Sequence, residues 1–179
     1  NVLFPIYAQM RTKTGDMSRG FFLATRYISL LIIPMGLGLA LVAEPFILTF
    51  FTDKWIDAVP VVRGIAIYAT LLSVVHNTTS VYWAEGRPQI STWVGLVRLA
   101  MLFPALLWAV LATQSIVMVG WVHAGMAFLS AILNFVIASR LIGLPLIDIG
   151  RALRPGVLAG ALMAIAVMVK LTNIQWVEG

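Results

Sequence analysis

One cation stands where hydrocarbon is expected. Arg98 lies about nine residues into the apolar run Gln89–Leu111, roughly 14 Å deep at helical rise. A guanidinium left in lipid there costs about 3 kcal/mol on insertion scales, so it needs water, a carboxylate or an anionic ligand. Its fork of N–H donors matches phosphate or carboxylate oxygens two at a time. A structural ion pair with a helix elsewhere in the protein is the plainer alternative.

A second set of polar residues shares a helix face. Within Ala58–Ala84, residues Arg63, Thr70, Ser73, Asn77 and Ser80 fall within about 100° of arc, with His76 at the edge. Such a stripe suits a watery cavity, where hydroxyls and amides could meet sugar. Interhelical hydrogen bonds, worth about 0.6–2 kcal/mol each, account for it equally well. Arg63 is near enough to the span end to snorkel. In Ile116–Ser139, His123, Ser130 and Asn134 again share a face. His123 stands near its span end and reads as interfacial before it reads as a proton relay. The candidate cavity-lining set is therefore Arg98, Arg63, Asn77, His76, Ser73, Thr70 and Asn134.

Nothing here argues for catalysis. None of the seven acidic residues is paired at catalytic spacing inside a span. There is no HExxH, GxSxG, GxGxxG or P-loop pattern. No catalytic residue, metal or cofactor is assigned. With no cysteine, disulfides and thiolate metal sites are excluded.

The elements that must position these groups follow from composition. The chain is 61% hydrophobic and only 11% charged, against about 25% charged in soluble domains. So much apolar surface needs lipid as its solvent. The expectation is an all-α integral membrane fold with five complete spans, at about residues 21–43, 58–84, 89–111, 116–139 and 156–171, after a partial N-terminal helix. The stretch 1–179 reads as a single transmembrane domain. Because NVLFPIYAQM opens inside an apolar run, a longer protein is expected to precede it. Pro34 should kink the first span, and Gly156 and Gly160 form a GxxxG packing pair. Residues 140–155 read as a short interfacial helix, with Leu146, Ile149 and Leu153 opposite Asp148, Arg151 and Arg154. The apolar patch Pro45–Phe51 is too short to cross and should lie at the interface or re-enter. Trp55, Trp83, Trp93, Trp121 and Trp176 lie at or near span ends, as in an aromatic belt.

The net charge of +5 does not point to nucleic acid, because the basic residues sit mostly in short connections. Arg11, Lys13, Arg19, Arg26, Arg87, Arg140, Arg151 and Arg154 fall on one side, eight against Lys54, Arg63 and Lys170 on the other. The basic loops are therefore expected in the cytoplasm and the loop 44–57 outside.

Several of these pieces recur together in a known family. NVLFPIYAQM with a basic loop, then PMGLGLALVAEPFILTFFTDKWIDAVPVVRGIAIY, then WAEGRPQ, resembles the polysaccharide biosynthesis and export proteins. These are Wzx-type lipid-linked oligosaccharide flippases of the MATE-like (MOP) exporter superfamily. The resemblance covers roughly residues 1–155. It implies a two-lobed transporter in a bacterial cytoplasmic (inner) membrane, of which this chain is most of the C-terminal half. It further implies alternating access and transfer of a polyprenyl-diphosphate-linked glycan for cell-surface polysaccharide. The implied partners are the bilayer, the lipid-linked oligosaccharide, an N-terminal transmembrane half and glycan-assembly machinery. A cationic cavity is also implied, to which Arg98 and Arg63 could contribute by residue type and depth alone.

Other readings stay open. A cation-coupled drug exporter of the same superfamily calls for mid-membrane carboxylates, whereas Glu44 and Glu85 sit at span ends. A membrane glycan polymerase or glycosyltransferase calls for a large outer loop or an acidic cluster. A scaffold subunit of the glycan-assembly machinery makes no such demand.

Overall fold

A computed structural model describes residues 16–175, with side chains for 17–170. The partial N-terminal helix, Arg11, Lys13 and Trp176 lie outside the described residues. Hydrocarbon cannot hydrogen-bond the backbone, so a spanning segment this apolar must satisfy its peptides internally as helix. The described residues do so, without any strand. The helices are α1 (Asp16–Leu41), the short α2 (Ala43–Phe50), α3 (Val59–Ala84), α4 (Gln89–Thr113), α5 (Ile116–Ile142) and α6 (Leu146–Gln175). A 3-10 turn, Asp53–Ala58, joins α2 to α3. Five stretches are long and apolar enough to cross a membrane, those of α1, α3 with its 3-10 turn, α4, α5 and α6. This is the all-helical, five-span architecture expected from composition.

One expected element is absent. Residues 140–155 do not form a separate interfacial helix: α5 runs through Arg140 to Ile142, and α6 starts at Leu146 and continues past Pro155. The amphipathic pattern is that of the first turns of α6. Ile149 is buried there, Leu153 half-buried, and Arg151 and Arg154 exposed, with Arg151 bonded to Asp148 at 2.7 Å. Leu146 is exposed rather than packed with Ile149. Pro34 in α1 and Pro104 in α4 also lie inside continuous helix.

Turns between the spans are tight. After α3, Gly86 adopts φ +69°, letting its N–H reach Trp83 O while Arg87 N–H reaches Tyr82 O. This 6→1 and 5→2 pair is a Schellman stop. Gly143 ends α5 with φ +65°.

α1, α3, α5 and α6 form a four-helix group, with α4 outside it against α5. α1 packs on both α6 and α3, and α3 packs on α5. Small residues set these approaches. A Cβ on Gly156 would overlap the Ser29 carbonyl of α1, and one on Gly160 would lie 2.7 Å from Leu37 Cδ1. The GxxxG pair thus faces α1. Gly64 of α3 meets Gly120 of α5 backbone to backbone.

The main core lies at the end carrying Arg19, Arg87, Arg140 and Arg151, called here the basic end. Met17, Phe21, Val81, Tyr82, Ala84, Ala138 and Ile149 are buried together there. At the opposite, elbow end, Ala43 and Ile47 of α2 close against Val59.

Candidate functional site

The polar stripe of α3 is split by its neighbours. Asn77 and Ser80 are buried, while Ser73 and His76 are exposed. Asn77 Nδ2 donates to Thr25 Oγ1 of α1 at 3.1 Å. Thr70 is half-buried against Gly36 of α1, and its hydroxyl donates to Ala66 O at 2.7 Å. The stripe therefore does two jobs: one edge seals α3 onto α1, and the other presents Ser73 and His76 outward.

Asn134 of α5 is likewise interhelical. The Tyr82 hydroxyl lies 3.1 Å from both Asn134 O and Asn134 Oδ1, and the Thr78 hydroxyl lies 3.3 Å from Oδ1. Asn134 Nδ2 in turn donates to Ser130 O at 2.8 Å. With Ser29 Oγ at 3.3 Å from Ala152 O, these bonds tie α1, α3, α5 and α6 together inside the apolar layer. Each such contact is worth on the order of 0.6–2 kcal/mol in a membrane.

Arg63 belongs to the elbow. Its Nη2 donates to Glu44 Oε2 at 3.1 Å and its Nε to Ala40 O at 3.3 Å. It thus caps one of the last carbonyls of α1, which lack helical partners, and pairs with the first turn of α2. Its hydrogen bonds go to Glu44 and Ala40, whereas that of Arg98 goes to Tyr68.

Arg98 has a different setting. Half-buried on α4, it donates from Nη2 to the Tyr68 hydroxyl of α3 at 2.6 Å. Its Cζ lies 5.5 Å from the Tyr68 ring centroid, within cation–π range. The His123 ring of α5 also meets Tyr68 in a T-shaped contact, with centroids 5.5 Å apart and planes at 88°. His123 Nδ1 is 3.1 Å from Val119 O, so that nitrogen carries the proton and donates. Three helices thus bring Arg98, Tyr68 and His123 together.

No carboxylate pairs with Arg98 among the described residues, whose ion pairs are Arg63–Glu44 and Arg151–Asp148. Arg98 spends one of its five N–H groups on the neutral Tyr68 hydroxyl. Shallow clefts flank the cluster. One of about 300 Å³ is bounded by Arg98, Met126 and Ser130, and one of about 410 Å³ by Tyr68, His123 and Gly120. A third cavity, of about 290 Å³ between α1, α3, α5 and α6, has an apolar lining and offers no polar recognition.

Sequence reasoning missed Tyr68. Its signal was a phenol deep in a span, where a buried hydroxyl needs a partner. Nor could sequence alone bring His123 to that phenol. Among the described residues no cluster of His, Cys, Asp and Glu could hold a metal.

Five helices long and apolar enough to cross a membrane, joined by tight turns, define a multi-pass helical membrane protein. Its likeness is to proteins of polysaccharide assembly: residues 1–60 match the family model described as polysaccharide biosynthesis protein. The chain is 32% identical over 142 residues to the teichuronic acid biosynthesis protein TuaB of Bacillus subtilis (strain 168), covering 79% of this chain and 28% of that protein. It is 27% identical over 105 residues to the lipopolysaccharide biosynthesis protein WzxC of Escherichia coli (strain K12), covering 59% and 21%. It is 30% identical over 97 residues to the succinoglycan biosynthesis transport protein ExoT of Rhizobium meliloti (strain 1021), covering 54% and 20%. No solved structure matches significantly. The chain thus spans between 20% and 28% of these relatives' length. The resemblance read from the sequence motifs is borne out by relatives named for polysaccharide biosynthesis and transport.

Proposed function

We propose that this chain is the C-terminal lobe of a transporter that flips a polyprenyl-diphosphate-linked oligosaccharide across a bacterial cytoplasmic membrane. On this reading the basic end faces the cytoplasm and the elbow faces outward. A further transmembrane half supplies the opposite cavity wall, and glycan-assembly machinery supplies the cargo. The observation that carries the reading is Arg98. It is a deep cation with no carboxylate partner among the described residues, in a chain similar to polysaccharide biosynthesis and transport proteins. Ser73 and His76, exposed on α3, stand as the sugar-facing candidates. Thr70, Asn77, Asn134 and Arg63 support the wall, since their polar atoms are engaged with neighbours.

The described carboxylates Glu44, Asp53, Asp57, Glu85 and Asp148 all stand at helix ends or in the elbow. That distribution favours an anion carrier over a mid-membrane cation exchanger. It also provides no acidic pair for glycosyl transfer. The test is export of the cell-surface glycan by cells carrying Arg98→Ala in the full-length protein. Loss of export at unchanged protein level is expected, with partial function for Arg98→Lys, which keeps charge but not the fork. Normal export by Arg98→Ala removes Arg98 from the site.

A further inference from the structure

We propose that Tyr68 is a second ligand-contacting residue of the Arg98 site. A phosphate oxyanion bound there takes a hydrogen bond from the Tyr68 hydroxyl as well as from the guanidinium, and so joins α3 to α4. The proposal rests on the reading above that Arg98 meets the anionic part of the cargo.

The argument begins with donors. A phenol has one proton and two acceptor lone pairs. Tyr68 uses a lone pair for Arg98 Nη2 at 2.6 Å. Among the described residues its own proton reaches no acceptor. Arg98 likewise spends one N–H on Tyr68 and has four more. The Tyr68 hydroxyl oxygen and Arg98 Nη2 stand 2.6 Å apart, so the unused O–H and the unused N–H groups lie within reach of one small anion. Phosphate supplies several acceptor oxygens on one centre, so one ligand can satisfy donors of both residues.

The phenol is also held for this task. The His123 ring packs against it in a T-shaped contact, and His123 is bonded in turn to Val119 O. Arg98 lies over the same ring. Swinging Tyr68 away would give up both contacts.

The position adds a mechanical meaning. α4 rests on α5 and scarcely meets α3. The Tyr68–Arg98 bond is a side-chain hydrogen bond between α3 and α4. An anion that engages both residues thereby adds a second bridge between these helices.

The test uses the full-length protein in phosphatidylcholine nanodiscs, with inorganic pyrophosphate and farnesyl diphosphate as probes read by calorimetry. Tyr68→Phe is expected to weaken binding about tenfold, as for a lost hydrogen bond to a charged group, and Arg98→Gln to weaken it further. Wild-type affinity in Tyr68→Phe, with loss in Arg98→Gln, overturns the proposal and leaves the reading of Arg98 standing. Failure of the wild type to bind either probe, or unchanged binding by Arg98→Gln, overturns that reading itself. Placing 3-fluorotyrosine at position 68 asks the same question with the side chain kept. Its hydroxyl is a stronger donor and a weaker acceptor, so tighter binding is expected, and weaker binding overturns the donor role. Repeating the titrations in phosphatidylglycerol discs distinguishes the source. Competition that depends on Tyr68 supports the site with a lipid phosphate as occupant, and its absence supports the diphosphate.

Discussion

Gly64 and Gly120 face each other so closely that a Cβ on Gly64 would stand 2.9 Å from the Gly120 carbonyl carbon. The relation is not symmetric. A Cβ on Gly120 would lie 3.5 Å from Val61 O, an ordinary contact. Gly64→Ala should therefore force α3 and α5 apart, at about 1–3 kcal/mol. Gly120→Ala should change stability by less than about 0.5 kcal/mol. Thermal unfolding of the two variants in one detergent checks the difference; equal effects would contradict this seam.

A second contrast concerns α6. Gly156 abuts the Ser29 carbonyl of α1, whereas Gly95 on α4 has nothing within 4 Å of an added Cβ. Gly156→Ala should lower the melting temperature, and Gly95→Ala should leave it unchanged or raise it slightly. Protease resistance of the folded protein gives an independent readout.

The buried contact between Tyr82 and Asn134 can be measured directly. A double-mutant cycle with Tyr82→Phe and Asn134→Ala should return a coupling of about 0.6–1.7 kcal/mol, the range for membrane hydrogen bonds. Additive losses would show that the two residues do not share a bond in the membrane.

At the elbow, Arg63 and Glu44 are 40% and 52% exposed. An ion pair so open is worth about 0–1 kcal/mol, and Glu44→Gln should cost little. Arg63→Ala should cost more, because it also uncaps Ala40 O at the end of α1. Raising salt should erase the Glu44 effect and spare most of the Arg63 effect. Unfolding at low and high salt tests both.

These relationships show what the residues disclose and what they hide. The spans were legible because apolar runs of membrane length are hard to place elsewhere. The turn at Glu85-Gly86-Arg87-Pro88 depends on Gly86, whose φ of +69° suits glycine. Residues 140–155 misled because an amphipathic face looks the same in a separate interfacial helix and in the first turns of a longer one. What separates the two is that the helix runs unbroken from Leu146 past Pro155. The polar stripe of α3 was legible as a face but not as a division. Asn77 and Ser73 are the same kind of residue on the same arc, and the choice between them is made by α1. Arg98 was visible at once from its depth. Tyr68 and His123 were hidden because their meeting depends on how α3 and α5 pack.

One consequence concerns where this protein is stiff. The Phe21–Tyr82–Ala138–Ile149 core locks the basic end, and the Asn77–Thr25 and Tyr82–Asn134 bonds sit in that same half. The elbow end has a smaller core of Ala43, Ile47 and Val59 and a solvent-exposed ion pair. Resistance to spreading is thus graded along the helix axes. Where the helices part at all, the elbow ends are the place to expect it, up to the Gly64–Gly120 seam that still joins α3 to α5 there.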